Sequence, residues 1–366
     1  MRVAMLGQKG IPARSGGVER HVEELATRLV AKGHEVIVYC RKNYTGKTQK
    51  TMRGVELRYL PSIPTKHLDA ITHTLLATID ILFRQVDVVH YHGIGPSTLL
   101  VLIRILKPRT PIIVTFHTQD YFHQKWGFLA RWYLRFGEYI ACRFPHKTIV
   151  ISRLLKQHVW CTYQGTAEHI PYGAETHRVV AAQAIRSDGL QRGNYILAVG
   201  RLVRHKGFHT LIEAYTMVKT NKKLVIVGDS AFTDDYVHEL HERAHGNSNI
   251  LFLGQKTGRA LNALYSNAYL IVHPSEAEGM SHVLLEALGH GKTVLASDIP
   301  EQREALEHLG FFFRNKSVTD CAAKLKFLLT HPELVGKKRN EAHTLVTTKY
   351  NWDMIVRKTV ATYTDA

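Results

Sequence analysis

Cysteine is scarce in this 366-residue chain: Cys40, Cys142, Cys161 and Cys321 stand far apart, with no C-x-x-C or other zinc-like spacing. Scattered thiols predict no disulfide framework and no structural metal, and they fit a reducing compartment. Long apolar runs are missing too. The best candidates, 74–83 and 97–103, are interrupted by Asp80 and closed by Arg104. Both fall well short of the roughly 20 residues that span a bilayer. The opening M-R-V-A-M-L-G lacks the apolar stretch of a secretory leader and reads as a first buried strand. These absences predict a cytoplasmic protein. Negative charge is the scarcer sign, with 31 Asp and Glu against 48 Lys and Arg and a formal net charge of +17. Such an excess attracts polyanions or serves solubility alone. No helix-turn-helix, finger or aromatic-basic motif accompanies it, so nucleic acid is not an expected partner.

What is present is length and apolar content enough for two domains, with 45% hydrophobic residues. Basic residues crowd the first half, at 41–42, 47–50, 104–109, 125–143 and 153–156. The aromatic and apolar residues of 126–136 fit a helix lying on an anionic membrane surface, and fit a core helix nearly as well.

Short apolar strands alternate with helical stretches, the sign of parallel α/β architecture. Strands are expected at 2–6, 35–40, 86–90, 112–116 and 147–151. A helix is expected over 18–32, where Val22, Leu25, Ala26, Leu29 and Val30 recur at helical spacing and Gly33 ends it. The polar stretch 176–193 reads as a linker. A second series follows, with strands at 195–199, 224–227, 250–253, 270–273 and 293–296. The division is therefore 1–175, linker 176–193, 194–348, and a last helix over 349–366 that packs back toward the first domain. Ligands of open parallel sheets bind beyond the carboxyl ends of the strands. Two such domains are expected to face each other across a cleft.

The loops after the strands carry the candidate chemistry. Gly200-Arg201 and Lys206-Gly207 follow the first strand of the second domain. A guanidinium fork and an ammonium there suit a diphosphate, against the bland reading of two exposed cations beside a turn. In H-P-S-E-A-E-G-M-S-H-V-L-L-E-A, 273–287, a helix begins near Ser281, and its free amides suit an anion. Glu278 precedes that helix and suits sugar hydroxyls. Glu286 lies roughly one and a half turns into it and suits ribose hydroxyls, against the bland reading of a solvated helix face. In the first domain, Gly16-Gly17 opens a helix whose amides suit phosphate. Gly7 and Gly10 do not make the dinucleotide fingerprint, and Cys40-Arg41 stands where an acidic residue would. His117 follows the strand at 112–116, with Asp120 and Lys125 in the same loop.

The segments G-G-V-E-R-H-V-E-E-L-A, G-R-L-V-R-H-K-G and E-A-E-G-M-S-H-V-L-L-E-A resemble the retaining family-four glycosyltransferases of the GT-B fold. Nearly the whole chain is covered, with the motifs in order. The stretches G-Q-K-G-I-P-A-R-S-G-G-V-E and T-F-H-T-Q-D-Y-F-H-Q-K-W-G are similar to a subgroup that includes bacterial rhamnosyltransferases of surface-polysaccharide assembly. The resemblance implies an α/β chain of two Rossmann-like doubly wound parallel-sheet domains facing a central cleft, the first for acceptor and the second for donor. It implies that Arg201 and Lys206 bind the donor diphosphate and that Glu278 contacts the transferred sugar. Gly279, Met280 and Ser281 lie beside the sugar, Glu286 binds the ribose, and His117 sits near the sugar. Gly16, Gly17, Gly200 and Gly254 complete the donor site, while Asp120 and Lys125 are acceptor candidates. The implied reaction moves a hexose or deoxyhexose from a UDP-, GDP- or dTDP-sugar to a glycan or lipid-linked acceptor, at the inner membrane face if an anionic surface is engaged. No D-x-D motif stands at a strand end, so a metal-independent transfer without cofactor is expected, with two cations in place of a divalent ion. A nucleotide-sugar epimerase of the same plan, turning over donor without acceptor, is the alternative. The family usually has N-G where this chain has Tyr172-Gly173, and the subgroup usually has H-G-x-D where it has H-T-Q-D.

Overall fold

A computed structural model describes every residue except 15, 46–48, 66, 123–125 and 231–232. The chain forms two compact units, Met1–Tyr172 with Trp352–Ala366, and Gly173–Asn351.

The first unit is built on eight strands: β1 (Arg2–Leu6), β2 (Glu35–Arg41), β3 (Thr51–Met52), β4 (Val55–Leu60), β5 (Val88–His92), β6 (Ile112–Phe116), β7 (Lys147–Val150) and β8 (Glu168–His169). Their order in the sheet is β3-β4-β2-β1-β5-β6-β7-β8. All neighbours are parallel except β3 and β4, with Met5 opposite His90 and Val114 opposite Thr148. The continuous apolar runs of β1, β2 and β6 follow from this, because a parallel sheet is covered on both faces. The helix Gly17–Ala31 buries Val22, Leu25, Ala26 and Leu29 on one such face. Each fully buried Val or Leu side chain among them contributes about 2 kcal/mol. The last helix, Trp352–Thr364, adds Trp352, Ile355 and Val356 to the same core.

The strand expected at 86–90 sits two residues later, at Val88–His92. Its alternate residues His90 and His92 gave no apolar signal, yet both are buried. The helix Phe128–Arg143 has one buried and one exposed side. Leu134, Ile140, Ala141 and Cys142 are buried, while Phe128, Leu129, Trp132, Phe136 and Tyr139 are exposed. Among the described residues no helix is long and apolar enough to cross a membrane.

The second unit has six parallel strands: β9 (Tyr195–Val199), β10 (Lys223–Val227), β11 (Ile250–Phe252), β12 (Leu270–His273), β13 (Val294–Ser297) and β14 (Phe311–Phe313). Their order is β11-β10-β9-β12-β13-β14. The stretch 176–193, read as a linker, is part of this unit. It holds a 3-10 helix at Ala182–Asp188 with Ile185 and Leu190 buried, and Asn267 donates from its side chain to the Val180 carbonyl at 3.0 Å. Polar composition hid two anchoring apolar residues.

Both sheets reverse direction beside their first strand: β1 lies between β2 and β5, and β9 between β10 and β12. The crevice at such a reversal, beyond the carboxyl ends of the strands, is where this architecture binds ligands.

Candidate active site

In the second unit the reversal lies between β9 and β12, and the loops leaving these strands are pressed together. Gly207, at φ +68°, has no room for a side chain, since a Cβ there would lie 2.0 Å from the Pro274 carbonyl oxygen. That approach brings Lys206, on the β9 loop, against Glu278, on the β12 loop. The two form a buried ion pair, with side chains 13% and 10% exposed. His273, the last residue of β12, shares a bond of 3.0 Å between its Nε2 and the same carboxylate oxygen. Burial opposes ionisation of Glu278, but the Lys206 charge and the His273 hydrogen bond override it and hold the carboxyl well below its usual range. Burial lowers His273 below its ordinary value against the pull of Glu278. The cluster is therefore a carboxylate, an ammonium and a neutral imidazole.

The chain between them is pinned. The Ser275 carbonyl accepts from Gln302 Nε2 at 3.1 Å and from the Ser297 hydroxyl. The Glu276 amide donates to the His205 carbonyl at 2.7 Å, tying the β12 loop to the β9 loop. Asn315 donates to the Glu276 carbonyl at 3.1 Å. The Glu276 carboxylate lies 3.4 Å from His209 Nε2 and 3.4 Å from Lys316 Nζ. None of these supports was singled out in the sequence, where Glu276 stood two residues from the glutamate that drew attention.

Arg201 is half-buried at the end of β9, and its guanidinium forms no hydrogen bond or ion pair among the described residues. Gly254 follows β11 and accepts from the Gly228 amide at 3.0 Å. Ser281 is the N-cap of the helix His282–Gly289. The amides of a first helical turn have no partner within the helix, so Gly279, Met280 and Ser281 lead into an anion-attracting end. Glu286 is buried on this helix among Leu284, Leu285, Ala287 and Leu288, which removes the reading of a solvated helix face.

In the first unit the same edge is built of rings. His117, one residue past β6, is 2% exposed. Its Nδ1 lies 2.7 Å from the Tyr172 hydroxyl and its Nε2 lies 3.1 Å from His92 Nδ1. A phenol is the natural donor here, which puts the His117 proton on Nε2, facing His92. His90 lies tilted against His92 with ring centroids 4.1 Å apart, and binds the Tyr363 hydroxyl and the Thr115 hydroxyl, both at 2.7 Å. His21 packs between Tyr172 and Trp352, with centroids 4.9 and 5.8 Å away. Burial lowers His21 to about 3, and burial with the His21 charge lowers His90 to about 3. Burial holds His92 well below its ordinary value. Among the described residues no three His, Cys, Asp or Glu side chains are arranged to hold a metal ion. Sequence reading found His117 alone. The alternation H-Y-H at 90–92 was its only trace of the rest, and Tyr172, noted as a departure from N-G, turns out to hold His117.

Gly16 is the N-cap of Gly17–Ala31 at φ +103°, and a Cβ there would meet the Glu19 carboxylate at 2.0 Å. Glu19 also accepts from the Lys9 amide at 3.1 Å. The helix start at Gly16-Gly17 thus already has a carboxylate beside it. Asp120 begins a 3-10 helix, Asp120–Phe122. Lys125 lies outside the described residues.

Residues 15–178 match the Glycosyltransferase Family 4 profile, and residues 183–344 match that of Glycosyl transferases group 1. An uncharacterized glycosyltransferase of Methanocaldococcus jannaschii is 26% identical, over 99% of this chain and 98% of its own. Glycogen synthase of Mycobacterium tuberculosis is 25% identical, over 99% and 94%. Among solved structures, the Anabaena protein HepE in complex with UDP and glucose superposes with a TM-score of 0.82 at 19% identity, over 100% of both chains. Sucrose-phosphate synthase from Thermosynechococcus elongatus superposes with a TM-score of 0.84 at 19% identity, over 99% and 98%. These structural likenesses establish the GT-B plan of two parallel-sheet Rossmann-like domains.

Proposed function

The two halves of this chain belong to glycosyltransferase families, family 4 in the first and group 1 in the second, and on that premise we propose a retaining transferase. It moves a hexose or deoxyhexose from a nucleoside diphosphate sugar to a glycan or lipid-linked acceptor of surface-polysaccharide assembly. The observation that carries the donor half is the buried Lys206–Glu278–His273 cluster at the sheet reversal. In the reading proposed, Arg201 and Lys206 receive the diphosphate, the start of His282–Gly289 adds amides, Glu278 meets the sugar and Glu286 the ribose. Negative charge grows on the departing diphosphate, and donors already aimed at it are each worth about 3 kcal/mol. Two cations and a helix start supply that stabilisation without a divalent ion. The Anabaena neighbour was solved with UDP and glucose, which makes UDP-sugars the first donors to try. His117, held by Tyr172 and His92, places its imidazole at the end of β6, near the transferred sugar in this reading.

The membrane part rests on the Phe128–Arg143 helix. Its exposed Phe128, Leu129, Trp132 and Phe136 lie among the exposed Arg131 and Arg135, the composition of a helix that settles into an anionic lipid surface.

A thermal-shift panel of sugar nucleotides tests the donor assignment. A donor at a hundredfold its Kd adds about 2.7 kcal/mol to the folded state. The matching donor is expected to raise Tm, and Lys206→Ala to abolish the shift. A panel in which no sugar nucleotide stabilises the protein, or an undiminished shift in Lys206→Ala, defeats the assignment. A new sugar nucleotide formed without acceptor would mark an epimerase instead.

A further inference from the structure

The second unit has a basic cavity of about 340 Å³ that the proposed transfer does not use. That size lies within the range of small-molecule sites. Its walls include Gly193 just before β9, Tyr269 just before β12, and Lys292 and Thr293 just before β13. The strands are parallel, so this is the edge of the sheet opposite to Gly200 and Pro274. One strand length, about 17 Å for five residues, separates the two edges.

The charge of this cavity is one-sided. Arg192, Lys292 and Arg339 line it together with His177 and His290, and no carboxylate is among its lining residues. Among the described residues, none of the three cations forms an ion pair. The Lys292 ammonium is tied only to a main-chain carbonyl, that of Ala268, at 2.9 Å. Burial first, and then the charges of Arg192 and Arg339, lower Lys292 to about 8. Lys206 and Lys256 of this unit are matched, by Glu278 and Asp188. Here like charges converge around an open volume.

His290 forms a fixed part of the cavity wall. It is 4% exposed, and its Nε2 has no hydrogen-bond partner among the described residues. Its Nδ1 lies 3.2 Å from the Ser266 hydroxyl oxygen, which accepts from the Val180 amide. With the Ser266 proton donated to Nδ1, the imidazole proton sits on Nε2 and is left as a donor. The ring is fixed by stacking on His177 at 4.3 Å and Tyr265 at 5.4 Å.

We propose that this cavity binds a small phosphate-bearing metabolite as an effector. Arg192, Lys292 and Arg339 receive the phosphate, and Val179, Val335 and the Tyr269 ring cover its uncharged body. The occupant is no reactant, since it lies a strand length from the donor loops. The helix His282–Gly289 joins the two places, with the donor loop at its start and His290 and Lys292 directly after its end.

The test uses the full chain carrying Lys206→Ala, which removes a cation from the proposed donor site. Inorganic phosphate and ribose 5-phosphate are titrated by calorimetry at physiological salt. One saturable site is expected, with ribose 5-phosphate the tighter ligand. Arg339→Gln and Arg192→Gln, at exposed positions that leave the fold intact by circular dichroism, each weaken it about tenfold, the loss of one charge-assisted contact. Lys324→Gln, which removes an exposed charge on the Val318–Thr330 helix, leaves the Kd unchanged. Absence of saturable binding overturns the proposal, and so does equal weakening by Lys324→Gln and Arg339→Gln. Because the donor cation is absent throughout, neither result bears on the donor assignment.

Discussion

Two parallel sheets of one plan end in opposite electrostatics. At the carboxyl edge of the second sheet, Lys206 and Glu278 face each other as full charges. At the same edge of the first, His21, His90, His92 and His117 form a buried cluster, and burial keeps the first three neutral. A buried ion pair loses little when a ligand of matching charge replaces one partner, because the remaining charge stays compensated. A neutral ring cluster offers no such exchange and serves as a rigid, hydrogen-bonded wall. The outer surfaces differ as well. Phe83, Ile105, Leu106, Phe128, Leu129 and Trp132 of the first unit are more than half exposed, against Met217 alone among the described large apolar residues of the second.

The sharpest way to break this comparison is to remove the charges. Lys206→Ala and Glu278→Gln are each expected to lower kcat by about 10²–10³, or 3–4 kcal/mol, with the circular dichroism unchanged. Turnover near wild type in either variant would show that the pair is structural. The next effect is on pH. His21 and His90 are lowered to about 3 when folded, against an unfolded value near 6.5, so the unfolded state binds more protons below pH 6.5. Their contribution is full above that value and declines as pH falls toward 3. The cost by pH 5 is about 2 kcal/mol for each histidine. Glu278 has the same sign in a lower pH window, since its folded value is depressed as well. Its contribution is full above the ordinary carboxylate range and is lost as pH falls from there through its lower folded value. Hydrogen exchange at pH 7 and pH 5 should therefore show protection falling at Ile113 and Val114 before Leu197 and Val225. Simultaneous loss in both sheets would contradict the contrast.

A smaller effect is expected from Tyr172→Phe, which deletes the hydroxyl at His117 Nδ1. Leaving a buried acceptor unpaired costs about 1–3 kcal/mol, measurable by urea unfolding, and the pH profile of turnover should shift with it. The smallest stability change belongs to Trp132→Ser, within about 0.5 kcal/mol for an exposed site. That variant is nevertheless expected to sediment several-fold less with anionic vesicles, and wild-type sedimentation would remove this face from the membrane proposal.

Local sequence made much of this molecule legible. The stretches 3–6, 36–40, 112–114, 195–199 and 270–272 within β1, β2, β6, β9 and β12 are apolar without interruption, and a strand covered on both faces leaves that mark. Gly33 closes its helix as read, at φ +86° with its amide on the Val30 carbonyl at 2.9 Å. The two-residue strands β3 and β8 are shorter than any period. β5 was read early because its histidines are polar, and Ile185 was lost in a polar stretch.

The sequence by itself determined two parallel-sheet halves and the loops on which Arg201, Lys206, Glu278 and Glu286 stand, since apolar period and glycine placement are local properties of the chain. Tertiary structure alone decided what those residues face. Lys206 and Glu278 are 72 positions apart and meet because only a glycine at 207 lets the two loops close. His90 and Tyr363 are 273 positions apart and meet because the last helix returns to the first core. Long-range contact is where burial and charge combine, and no window of sequence contains both partners.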